Sequence, residues 1–121
     1  AKAGQLRAPP EAGAQYNNNE DTWWMLDSGE PVTYSRNAFG QVTVNQISAI
    51  TFAELDLETY YDYVYIFKRR TDTPGDVYEL VQSITGTVKP EDISGKGRYF
   101  IWLKTDYSVT RDGFRIVYHT Q

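Results

Sequence analysis

From Thr22 onward the chain is a succession of short apolar runs broken by Gly, Pro, Asp and Asn. The run "YDYVYIFKRR" sets Tyr61, Tyr63, Tyr65 and Phe67 on one face and Asp62, Val64 and Ile66 on the other. That period of two is the one side chains follow along a strand. "RYFIWLKT", "FRIVYHT" and "VYELVQSI" are apolar runs of similar length, and "VTVNQISAITFAELDLE" aligns Val42, Val44, Ile50 and Phe52. Only "AITFAELDLE" has a helical alternative, which its flanking Ile and Thr residues and the Tyr-rich run after it disfavour. Gly29 and Pro31 interrupt "TWWMLDSGEPVTYS", while "RNAFGQ", "TDTPGD" and parts of "TGTVKPEDISGKG" carry turn chemistry. The pattern predicts an all-β fold, an antiparallel, jelly-roll-like β-sandwich of roughly eight to ten strands.

Residues 1–20, "AKAGQLRAPPEAGAQYNNNE", contain no strand-length apolar run and are rich in Ala, Gly, Pro and Asn. They read as a linker or tag remnant leading into a domain over residues 21–121, one module of a larger protein. A strand around Leu6 or Tyr16 is the alternative.

Composition narrows the function more than the fold. A chain of 121 residues can bury one core without staples, and it contains no cysteine. Disulfides, thiolate metal sites and cysteine nucleophiles are thereby excluded. The net charge of -4 argues against nucleic acid, whose binders carry a basic face. No apolar run approaches the roughly 18 residues of a membrane span, and no charged-then-apolar leader is present. His119 is the sole histidine, and neither a nucleophile elbow, a phosphate-cradling Gly-rich loop nor zinc spacing occurs. A carboxylate pair could in principle serve a glycosidase, but a small sandwich offers little wall for a cleft. The expectation is a protein that is not an enzyme.

Four pieces in order carry a family resemblance: Leu55-Asp56-Leu57-Glu58, then Tyr61-Asp62-Tyr63-Val64, then the "SGKG" turn, then Thr105-Asp106-Tyr107-Ser108 running to Gly113-Phe114. This order resembles the CUB domain over about residues 42–118. The resemblance implies a secreted or cell-surface recognition module. It departs from the family pattern in lacking disulfides and in a shorter connection between Glu58 and Asp62. It also implies one calcium ion, held by the carboxylates of Glu58, Asp62 and Asp106 and the carbonyl of Ser108. Glu54, eight residues before Asp62, is the alternative ligand if that connection is not shortened. Tyr60 and Tyr107, beside these positions, are the expected partner-facing residues.

The residue chemistry is compatible with this. Calcium takes six to eight hard oxygens at about 2.3–2.6 Å, and converging carboxylates repel one another without a cation. Read as a hairpin, "KTDYSVTRDGF" is longer and more acidic than the usual two to five turn residues require. The bland reading is that Asp106 and Asp112 are solvated turn residues that bond their own backbone. Trp23 and Trp24 are adjacent, so in a strand they face opposite sides, one in the core and the other exposed or under the N-terminal segment. An exposed Trp with a solvent-facing tyrosine row would suit a carbohydrate-binding module, whose ligand would be a glycan rather than a protein. Lys68-Arg69-Arg70 reads as a solvated strand end, or else as a partner contact. A purely structural spacer is the third reading.

Overall fold

A computed structural model describes residues 3–11, 13–26, 32–34, 47–70 and 77–120. Val42, Val44, Gly29, Pro31 and the turns "RNAFGQ" and "TDTPGD" lie outside the described residues. The described strands are β1 (Ala3–Ala8), β2 (Asp21–Leu26), β3 (Val32–Tyr34), β4 (Ile47–Asp56), β5 (Tyr63–Arg69), β6 (Tyr78–Ile84), β7 (Ile93–Gly97), β8 (Tyr99–Lys104) and β9 (Gly113–Thr120). They form two antiparallel sheets, ordered β1-β9-β4-β7 and β3-β2-β8-β5-β6. No helix occurs among the described residues. The all-β sandwich expected from the periodicity is the architecture observed.

Alternation fills the space between the sheets. Val64 and Ile66 of β5, with Tyr99, Ile101 and Leu103 of β8, point inward and meet Ile50, Phe52, Phe114, Ile116 and Tyr118 from the other sheet. Burying one such side chain contributes about 1.5–3 kcal/mol, so this contiguous cluster is the main source of stability in a chain without cross-links. Strand β4 changes phase at a bulge between Phe52 and Glu54. Ile50 and Phe52 point inward before it, and Leu55 and then Leu57 after it. The bulge keeps both halves of the strand on the core and aims its end toward the loops at one end of the sandwich; a second irregularity lies between Ile47 and Ala49.

Trp24 is the inward tryptophan, edge-on to Phe114. Trp23 faces outward and stacks on Trp102 at 4.6 Å with an interplanar angle of 10°. The row continues as Tyr65 against Trp102 and Tyr63 against Tyr65, with Lys104 over the Trp102 ring. These rings are spent on one another: each covers its neighbour's face. Half-exposed and stacked on one another, these rings form an outward packing layer across the strands.

Two expectations are corrected. Residues 1–20 are not a linker throughout: at the alternative position around Leu6 they form β1, paired to β9 from Ala3↔His119 to Ala8↔Phe114. Leu6, Ala8 and Tyr16 are buried in the core. The segment escapes a hydrophobicity reading because an edge strand needs only alternate inward residues, and two small or medium ones suffice here. The second correction concerns connections. β4 and β5 belong to different sheets, as do β8 and β9. "KTDYSVTRDGF" is therefore not a hairpin turn; it and the Glu58–Asp62 connection both cross between sheets that pack roughly 10 Å apart. A crossing loop must be longer than a hairpin turn, and both crossings occur at the same end of the sandwich.

Candidate metal centre

Strand β4 delivers Leu57 and Glu58 to that end, and a tight turn returns the chain to Asp62. The Asp62 and Tyr61 N–H groups donate to the Glu58 carbonyl at 3.0 and 3.2 Å. Tyr60 takes a left-handed conformation (φ 67°), unusual for a bulky residue. Its N–H is held by the Thr85 hydroxyl oxygen at 3.0 Å, while that hydroxyl donates to the Asp62 carbonyl at 2.7 Å. The turn is thus pinned from the neighbouring β6–β7 loop.

The second crossing brings Asp106. Its N–H donates to Asp62 Oδ1 at 2.9 Å, and its own Oδ1 accepts the Ser108 N–H at 3.2 Å. Carboxylate oxygens of Glu58, Asp62 and Asp106 all lie within 4.8 Å of one another. Asp62 is fully buried, and Glu58 and Asp106 are partly exposed. Glu58 Oε1 is buried with no hydrogen-bond partner. Loss of hydration, then the negative charges of Asp106 and Asp62, push the Glu58 carboxyl above its usual range, against a lowering by Arg111. A buried acceptor without a donor, facing two more carboxylates, is what a hard cation would satisfy. The donor set, all oxygen, fits calcium better than a transition metal.

Glu54 stands apart from this cluster. It lies on the outer side of β4, bridged to Arg7 at 3.0 Å and Arg115 at 2.9 Å. The Arg115 hydrogen bond is the main reason its carboxyl sits below the usual range. Asp112 is exposed, and its N–H donates to Asp56 Oδ2 at 3.3 Å; it is not among the clustered acids. Tyr60 and Tyr107 flank the cluster and are 77% and 79% exposed.

Sequence reasoning missed the N-terminal contribution. The Tyr16 hydroxyl donates to Asp62 Oδ2 at 2.5 Å and accepts the Glu58 N–H at 3.2 Å, tying two of the three acids together from below. Burial first, then the bond to Asp62, raise the Tyr16 pKa, so the phenol stays a donor. Thr105, buried beside Asp106, donates to the Asn17 carbonyl and accepts the Glu20 N–H, each at 2.7 Å. The Asn19 N–H meets the Asp106 carbonyl at 2.6 Å, and Tyr16 N–H meets the Arg111 carbonyl at 3.1 Å. Residues 15–20 therefore brace the "KTDYSVTRDGF" loop along much of its length. A lone Tyr in an Asn-rich stretch was the only sequence sign of this.

The family model of the CUB domain matches residues 2–118. The chain belongs to the CUB domain family. The match takes in β1 and Tyr16 as well as the four pieces that carry the resemblance in sequence. CUB domains are protein-recognition modules of larger proteins, generally non-catalytic, and occur mostly in extracellular or surface proteins. No helix among the described residues is long and apolar enough to cross a membrane.

Proposed function

We propose that this CUB domain is a calcium-dependent recognition module of a secreted or surface protein. Glu58, Asp62 and Asp106 supply carboxylate ligands, and the Ser108 carbonyl, carried over from the family pattern, supplies a neutral one. The observation that carries the reading is the trio of carboxylates within 4.8 Å, one of which holds a buried oxygen with no donor. Calcium bound there offsets the mutual repulsion and fixes the two sheet-crossing loops relative to each other. Asp62 is already held by Tyr16 and the Asp106 backbone, so only Glu58 and the outer part of the Asp106 loop need ordering on binding. The ordered end then presents Tyr60, Tyr107 and the outward carboxylate oxygens to a basic side chain of a protein partner.

Melting with calcium and with chelator tests this. A ligand at a hundred times its dissociation constant stabilises the folded state by about 2.7 kcal/mol. With unfolding entropy near 2.1 cal/mol/K per residue over 121 residues, that is a rise of roughly 10 °C. Magnesium, which demands a tighter octahedron, should do much less. Superimposable curves in calcium and chelator would remove the site.

A further inference from the structure

Among the described residues, the edge of the five-stranded sheet at β6 pairs with no further strand. Residues Glu79 to Ser83 are exposed on both faces of the strand, so the opposite sheet does not cover it. Leu80 and Val81 are 52% and 40% exposed. The strand, Tyr-Glu-Leu-Val-Gln-Ser-Ile, has no Lys, Arg or Pro, the residues with which edges are normally blunted. Its protective devices are the charge of Glu79 and the bulge at Val81, opposite Ile66 and Phe67.

The backbone phase before that bulge can be read directly. The Arg70 N–H donates to the Val77 carbonyl at 2.7 Å, while the Arg69 N–H turns the other way to Arg98 at 3.0 Å. Antiparallel pairs alternate between bonded and non-bonded. With Phe67 opposite Leu80, the Leu80 N–H and C=O therefore face away from β5, where no strand is paired among the described residues. Beside them is a crevice of about 460 Å³, lined by Val81, Gln82, Glu91, Asp92 and Ile93. Glu79, Glu91 and Asp92 are exposed, and among the described residues no lysine or arginine lines the crevice.

We propose that β6 is a docking edge for a short extended segment of a partner polypeptide that carries lysine or arginine alternating with small apolar residues. Main-chain bonds to Leu80 supply the pairing, Leu80 and Val81 the apolar contact, and the three acids the charge selectivity. A second copy of this chain fits worse, since antiparallel pairing of two β6 strands would set Glu79 against an equally acidic edge. The bulge limits the added strand to the stretch before Val81. This surface lies apart from the three clustered acids and does not depend on calcium.

The probe is a synthetic peptide alternating lysine and valine, roughly nine residues long. Its controls are a glutamate–valine peptide and a lysine–valine peptide N-methylated at every backbone nitrogen, the latter with equal charge but no N–H with which to pair. Binding is followed by fluorescence anisotropy, and hydrogen exchange is read at the Leu80 amide. The lysine–valine peptide should bind and slow exchange at Leu80, with the glutamate–valine peptide weaker by about tenfold, or ~1.4 kcal/mol. Leu80→Pro removes an outward N–H, which an edge position tolerates, and should abolish binding while melting remains cooperative. Should that variant not fold, Glu79→Lys and Glu91→Lys together decide, by reversing the preference between the two charged strands. Equal binding of the N-methylated peptide, undiminished binding by Leu80→Pro, or Leu80 protection arising from self-association without peptide would each overturn the proposal.

Discussion

Replacing Tyr16 by Phe probes the joint between the N-terminal segment and the clustered acids. The ring stays, so core packing is unchanged; only the hydroxyl goes. Two interactions disappear with it: a charge-assisted bond to the fully buried Asp62 at 2.5 Å, and the acceptor for the Glu58 N–H at 3.2 Å. Bonds to charged groups contribute about 1.5–3 kcal/mol and neutral ones about 0.5–1.5. The second is long, and Asp62 keeps its bond from Asp106, so the expected loss is about 3 kcal/mol. Spread over an unfolding entropy of about 0.25 kcal/mol/K for this length, that lowers the melting temperature by roughly 12 °C. The assay is urea unfolding followed by tryptophan fluorescence in chelator, with Tyr107→Phe as an exposed control expected to behave as wild type. A loss below about 0.5 kcal/mol, the range of ordinary surface substitutions, would refute the claim that Tyr16 holds Asp62 in place.

Two further outcomes follow from the same geometry. At Gly113 (φ 88°) an added Cβ would lie 1.8 Å from the Ala8 carbonyl oxygen. Gly113→Ala must therefore push β1 off β9, and early loss of amide protection at Leu6 and Ala8 by hydrogen exchange is the expected signature; unchanged protection would contradict it. Because the folded-state pKa of Glu58 lies above its unfolded value, ionised Glu58 opposes folding, and that penalty fades as pH falls through the raised pKa. In chelator, Glu58→Gln should thus be more stable than wild type at neutral pH, with the difference shrinking on acidification; a difference independent of pH would count against the cluster.

Much of the fold was legible in period two. Tyr63–Phe67, Tyr99–Leu103 and Phe114–Tyr118 alternate cleanly because each strand packs one face against the opposite sheet. The three acids were also legible, but through the order of motif pieces rather than through spacing, which could not choose between Glu54 and Glu58. The choice depends on the bulge between Phe52 and Glu54, a backbone feature that leaves no reliable mark in a single sequence. What stayed hidden was long-range. Whether two neighbouring strands share a sheet is decided by the whole topology, so the sheet crossing at residues 105–112 reads locally as a hairpin. Tyr16, isolated among Asn and Gly, acquires its role only when Asp62 arrives from 46 positions away.

The most direct test of the calcium reading is isothermal titration of calcium into chelator-treated protein, comparing wild type with Asp106→Ala, Asp112→Ala and Glu54→Gln. Asp106 is in the cluster; Asp112 shares its loop and its charge, and Glu54 is held by two arginines elsewhere. The account predicts one saturable site per chain in wild type, retained by Asp112→Ala and Glu54→Gln and lost in Asp106→Ala. No heat in wild type, or binding that survives Asp106→Ala and disappears with Asp112→Ala, would contradict it.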